Sequence, residues 1–320
     1  MKKTINVKFS WGIFLLIPIG ILVFVIIPEL RTKYEIFNNK RITLQQEMMT
    51  LDSLKQLQDP KPKDMHLIKS LEIKIPIHKV VHQRETFLYY KTGGMLLVLI
   101  FMGIGMAGSS YIAMKKKTSS GNKEVDFVFG NPDNDTIGQE IDWGALESSG
   151  SNFASEILKK TVNGYKITSS SLTKIIAWSF FLMGLNYVVI SFIEFYRIYD
   201  VPLGLMKAGK LFFTSGGPFL LVGIILLFVF SPKVYVNRRN GKILIKGEML
   251  SFQDVYALQI LKKFVEGNTS GGFFGYELNL ITKEGRRYNL LNHGDKDYIL
   301  SDMVKLSRVF KVPVWNKGIV

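Results

Sequence analysis

Cysteine is absent from this chain. That absence removes disulfide staples, thiolate zinc sites, cysteine nucleophiles and thiol redox switches together, and it leaves the redox compartment unread. Charge is missing in a more local way. Between Lys8 and Glu29, Lys91 and Lys115, Lys174 and Glu194, and Lys210 and Lys233, no Asp, Glu, Lys, Arg or His interrupts an apolar run. Proton relays, ion pathways and voltage sensors need such groups at depth, so a pump or ion-coupled transporter is disfavoured. Catalytic signatures are lacking too. The glycine-rich "GNTSGGFFG" has no Lys-Ser/Thr ending to hold nucleotide phosphates, and there is no GxSxG elbow, no GxGxxG opening a helix and no paired-His metalloprotease motif. His78, His82 and Glu85 would share a helical face, but Lys79 stands where a zincin has its base. The expectation is no catalytic residue, no metal, no cofactor and no enzyme.

What is present is grease and basic charge. Of 320 residues, 47% are hydrophobic, and the formal charge is +15. Each apolar run approaches the roughly 20 residues that cross a hydrocarbon core as a helix. Four transmembrane helices are therefore expected, at 11–29, 93–114, 174–195 and 211–231. The first follows "MKK" but is long, and "VIIPELRTKY" offers no cleavage site, so it reads as an uncleaved anchor. Basic residues flank one side: Lys2, Lys3 and Lys8 before the first run, Lys115, Lys116 and Lys117 after the second, and Lys233, Arg238, Arg239 and Lys242 after the fourth. The positive-inside rule puts residues 1–10 and the C-terminus in the cytoplasm, with 30–92 and the short loop 196–210 outside. Basic flanks of this kind account for the net charge, so no nucleic-acid partner is inferred.

Within 30–92, apolar residues at Phe37, Leu44, Met48, Leu51 and Leu54 have helical spacing, "QDPKPKD" breaks the helix, and "LEIKIPI" alternates like a short strand. Residues 115–155 read as an irregular cytoplasmic segment. Span two carries a small-residue face at Gly103, Gly105, Ala107 and Ser109 suited to close helix packing, and Asn186 is an amide placed for an interhelical hydrogen bond.

Asn163-Gly164 predicts a hairpin over 156–171, immediately before span three, and Asn240-Gly241 predicts another just after span four. "FQDVYALQILKKF" and the two arms of "GYELNLITKEGRRYNLLNHG" add three strands. Asp295 caps a last helix whose Ile299, Met303, Leu306 and Phe310 share one face. Seven strands closed by one helix resemble a pleckstrin-homology-like (PH-like) barrel. Here 233–316 would be joined by 156–171, and the barrel would be split by the span 3–4 hairpin. His293 is expected to bond a backbone group in its turn.

The segments "EIDWGALESSGSNFASEIL" and "YELNLITKEGRRYNLLNHG...VFKVPVW" are similar to recurring segments in a group of uncharacterised multi-span bacterial membrane proteins. The resemblance runs from about residue 125 onward. It implies an inner-membrane protein with a C-terminal PH-like domain and assigns no activity. The β-rich insert that such proteins carry between their first two spans is replaced here by a helical Gln/Lys-rich stretch.

Binding is the function these residues suit. Strands rising steeply from the membrane would put Lys246, Lys283, Arg286 and Arg287 against anionic headgroups. The same geometry would leave Arg238, Arg239, Lys242, Phe273 and Phe274 for a protein partner. The expectation is a non-enzymatic scaffold or envelope sensor in the bacterial inner membrane. The alternative is an accessory subunit of a transporter or an oligomeric channel component, suggested by the small residues of span two with Asn186, Thr214 and Ser215.

Overall fold

The structure is a computed structural model, described here for residues 19–119, 129–148, 150, 155–199, 202–266 and 272–317, with side chains of 110–119 excepted. Residues 1–10, positions 11–18 of the first expected span, the Lys115–Lys117 side chains and 267–271 of the glycine-rich connection lie outside the described residues. The chain divides into two compact units: residues 1–115 with 175–227, and 116–174 with 228–320.

The first unit is helical. A π-helical turn, Leu22–Ile26, leads into α1 (Ile27–Lys55), and α2 (Pro62–Ser119) runs for 58 residues. The two are joined where Pro60 and Pro62 interrupt the amide ladder. α1 and the first half of α2 run antiparallel, with Lys55 meeting Glu72, Glu47 meeting His78 and Phe37 meeting Tyr89. On α2 the covered positions Ile68, Leu71, Ile75, His78 and His82 alternate three and four apart, with Tyr89 seven further on; Phe37, Leu44, Glu47, Leu51 and Leu54 answer them from α1. His78 Nδ1 lies 2.6 Å from Glu47 Oε2, and His82 stacks on Phe37 with centroids 5.1 Å apart. "LEIKIPI" is therefore helix and not the expected strand. Its apolar residues satisfy both periods, and the seam selects Leu71 and Ile75 while leaving Ile73 and Ile77 exposed. Pro76 is accommodated on the outward face.

Among the described residues, two helices are long and apolar enough to cross a membrane: α2 and α4 (Ser171–Tyr199). A bent pair, α5 (Leu205–Ser215) and α6 (Gly217–Val229), would make a third if counted as one span. The run expected as one straight segment over 211–231 is thus divided, with a 74° bend. Asn186 Nδ2 donates to the Lys91 carbonyl at 3.0 Å, and Gly94 leaves the room, since a Cβ there would collide with the Asn186 amide. Lys91 Nζ and Glu194 form a partly buried 2.6 Å ion pair beside it. Of the small-residue face on α2, Gly105 meets Ile175, whereas Gly103 meets nothing. The closest helix approach uses Gly184 of α4 against Leu220, and Gly223 of α6 against Phe181. Thr214 and Ser215 spend their hydroxyls on carbonyls of their own helix.

The second unit is β-rich. One sheet has the order β1 (Glu156–Thr161), β2 (Gly164–Ser169), β3 (Val234–Asn237), β4 (Lys242–Ile245) and β5 (Glu248–Ser251), antiparallel throughout. The other contains β6 (Val255–Val265), β7 (Phe273–Thr282), β8 (Arg287–His293) and β9 (Val314–Asn316), in the order β8-β7-β6-β9, with β9 parallel to β6. That is nine strands among the described residues where seven were expected. β5 and β9 are three or four residues long, too short to show a period. β2 and β3 are neighbours although α4, α5 and α6 lie between them in the chain.

Alternate residues of both sheets, among them Ile167, Val234, Val236, Ile243, Ile245, Leu258, Ile260, Leu278, Leu280 and Leu290, fill one core. Against it packs α7 (Lys296–Phe310) through Ile299, Met303, Leu306 and Phe310. Each such burial stabilises by about 1.5–3 kcal/mol. Asp295 caps α7 by accepting from the Asp297 and Tyr298 amides.

Residues 129–148 hold a 3-10 turn and one short helix in an otherwise irregular course. A short helix, α3 (Thr136–Glu140), is capped by Asp135, and the chain beyond it lies over the second sheet. Ile141 and Trp143 close a second small core with Ala257, Ile281, Tyr256 and Trp315. Tyr256 donates to Asp135 at 2.6 Å, which is the main reason that carboxyl sits below its ordinary range.

Candidate functional site

Strand register decides which basic residues of the β unit share an end. Ser169 opposes Glu156, Ile167 opposes Val234, Val234 opposes Ile245, and Ile245 opposes Glu248. Ser169 is the last residue of β2 before α4 departs, and Val234 is the first of β3 after α6 returns. The β4–β5 turn, Lys246-Gly247, therefore lies at the end of the sheet where the chain is tied to the helices. Lys246 adopts φ 49°, a conformation that the tight turn requires and glycine would fill more easily.

β8 crosses that same end. Its Tyr288 hydroxyl donates to Glu248 Oε2 at 2.7 Å, and four residues on, the Asn292 amide donates to Glu156 Oε2 at 2.8 Å. The strand thus runs from beside β5 to beside β1. The bond to Glu248 raises the Tyr288 phenol above its ordinary value. The turn preceding β8, with Gly285 at φ 76°, carries Lys283 and Arg286, both exposed. Arg286 meets Glu284 at 3.2 Å, a solvated contact of small energetic weight. Arg286 lies beside Tyr288 and Glu248 and so shares the attachment end with Lys246, whereas the Lys283 amide donates to the carbonyl of Asp254, beyond the far end of β5.

Arg287 does not join them. Its side chain is 10% exposed, and its guanidinium bonds Asp142 Oδ2 at 2.7 Å, the Gly144 carbonyl at 2.8 Å and Gln259 Oε1 at 3.3 Å. It belongs to a polar layer between the second sheet and residues 142–147. Glu277, fully buried, accepts from the Leu146 and Glu147 amides and from Lys263 Nζ at 3.0 Å. Lys263 also donates to the Glu147 carbonyl and to Asn292, Gln259 donates to the Asp142 carbonyl, and Asn279 bonds Gln259 and Glu277. Sheet side chains thus grip the main chain of the overlying segment, and every buried charge has partners.

The remaining expected residues separate into two groups. Arg238, Arg239 and Lys242 are exposed at the β3–β4 turn, the opposite end of the first sheet, where Asn237 Oδ1 accepts from the Arg239 and Asn240 amides. Phe273 and Phe274 start β7 in the other sheet. Phe274 packs on Phe264 with centroids 5.3 Å apart and lies under Lys262 Nζ at 4.1 Å.

His293 is 2% exposed and stacks on Tyr298, 5.6 Å between centroids and 10° between planes. Neither ring nitrogen has a hydrogen-bond partner among the described residues, so the expected bond to a backbone group is not made. Burial pushes its pKa below the ordinary value, against the opposing pull of Asp302 and Asp295. No group of three or more His, Asp or Glu side chains is poised for a metal among the described residues, and His78 is paired with Glu47.

Sequence reasoning missed Asp142, Glu147, Gln259, Lys263 and Glu277. Their signal was the alternation of "YELNL", in which Glu277 and Asn279 read as a solvent face; the covering segment makes that face interior.

No protein-family model, no curated protein and no solved structure matches this chain.

Proposed function

We propose that the β unit is a PH-like module that docks on anionic lipid headgroups through its attachment end, in a four-span protein of the bacterial inner membrane with both termini cytoplasmic. The convergence of Lys246 and Arg286 on the end where the chain joins α4 and α6 carries this reading, with Lys283 in the same turn as Arg286. Basic residues at a membrane surface contribute about 1 kcal/mol each and lose it beyond a Debye length, so a shared end matters more than total charge. Two sheets, antiparallel except for β9, a helix packed on their common core and a strand that crosses the end of the other sheet support the PH-like assignment. The protein in this reading is a scaffold or envelope sensor and carries out no reaction.

The full chain in nanodiscs tests it. With a donor dye at Met249→Cys, exposed on β5, and an acceptor on the lipid headgroups, energy transfer is expected to rise when anionic lipid replaces zwitterionic lipid and to fall with added salt. Replacing Lys246, Lys283 and Arg286 by Gln is expected to abolish the rise, whereas replacing Arg238, Arg239 and Lys242 leaves it. Transfer that ignores lipid charge would sink the proposal.

A further inference from the structure

The surface of α5 divides into three arcs. Ala208, Leu211, Phe212 and Ser215 are at least half-covered and face the protein. Leu205, Met206 and Phe213 form a second arc and are 92%, 90% and 62% exposed, with no protein over them. Lys207, Lys210 and Thr214 form a third, also exposed. A short helix in water would not leave a Leu, a Met and a Phe side by side on its surface. Chain connectivity supplies the medium, because α5 lies between α4, which is long and apolar enough to cross a membrane, and α6, whose residues carry no charge. The exposed face of α6, with Phe219, Val222, Ile225 and Val229, continues the same apolar exterior.

We infer that α5 lies in the plane of the bilayer interface, with Leu205, Met206 and Phe213 in the acyl chains and Lys207 and Lys210 among headgroup phosphates. The bend at Gly216 is packed into place: a Cβ there would come within 2.6 Å of Tyr187 Cβ, so α4 holds the kink against its own side. Dimensions agree. β2 and β3 are paired, so the chain that leaves through α4 must return to the same side of the membrane. α6 has only 13 residues, about 20 Å, against a hydrocarbon core of about 30 Å. An in-plane amphipathic helix sinks about 5–10 Å into the boundary, and starting α6 from that depth makes up the difference. This face is remote in the chain from the basic end of the β unit, and it holds whether or not that end binds lipid.

The cysteine-free background makes the test direct. Nitroxide labels on single Cys variants at 205, 206, 207, 208, 210, 211, 213 and 214 of the full chain in nanodiscs would be read for collisions with oxygen and with a water-soluble nickel chelate. Positions 205, 206 and 213 are expected to favour oxygen, at a depth of about 5–10 Å below the phosphates. Positions 207, 210 and 214 should favour nickel, and 208 and 211 should be shielded from both. Shielding of 205, 206 and 213 from both reagents would mean a protein partner covers the face. Depth increasing steadily along all eight positions would mean a spanning helix. Either result overturns the inference.

Discussion

Arg287 Nη2 and Asp142 Oδ2 lie 2.7 Å apart, and this ion pair ties the start of β8 to a segment nearly 150 positions earlier. Its neighbour Arg286 is exposed and meets the solvated Glu284 and the Tyr288 hydroxyl. Replacement of Arg287 by Ala leaves the Gly144 carbonyl and Gln259 short of a donor, and about 1–3 kcal/mol of stability is expected to go. Arg286→Ala should stay within about 0.5 kcal/mol of the parent. Denaturant unfolding of the full chain in detergent measures both, and limited proteolysis should cut sooner within 142–147 in the Arg287 variant. Equal stability of the two variants would show that the clamp contributes nothing.

His293 gives the β unit a pH dependence with a definite sign. Burial lowers its pKa below 6.5, so as pH falls the unfolded chain binds a proton that the folded chain refuses. Stability from this group is complete above 6.5 and is lost progressively below it, down to the depressed folded value. Asp295 and Asp302 moderate the loss, and Tyr298 covers the ring. Relative to His293→Phe, the parent protein is expected to lose about 1 kcal/mol more between pH 7.5 and 5.5. Parallel stability curves for the two would remove His293 from the acid response.

Where α2 runs against α1, Leu71 is buried, and Ile73, two residues on, is 68% exposed. Leu71→Ala should cost about 2–5 kcal/mol, because it removes contacts and leaves a cavity, and Ile73→Ala should cost well under 1. Thermal unfolding followed through the helical signal distinguishes them. The reverse order would mean that the hairpin pairs in another register.

Much of this architecture was legible from short-range rules. Asn163-Gly164 and Asn240-Gly241 sit at the β1–β2 and β3–β4 turns, where Gly164 and Gly241 take φ of 154° and 61°, conformations that glycine adopts cheaply. Asp295 caps α7, whose four-residue apolar stripe faces the core. "LEIKIPI" was misread because alternation and helical spacing select overlapping residues, and only the packing against Leu51 and Leu54 of α1 distinguishes them. Arg287 could not be told from Arg286 by type or neighbourhood. Its role depends on residues 142–144, which the chain brings back across the sheet.

Composition and periodicity by themselves determined that long stretches of this chain are apolar enough to cross a membrane, that a β-rich unit accompanies them, and roughly where its turns and last helix fall. Those are local properties, set by side-chain transfer energies and by backbone preferences over a few residues. Tertiary structure alone decided that β2 and β3 are neighbours across an inserted helical stretch, and that Glu277 and Lys263 are interior. It also decided that the last apolar run is broken at Gly216. Each of these depends on surfaces brought together from distant parts of the chain, where burial and partner choice have no local signature.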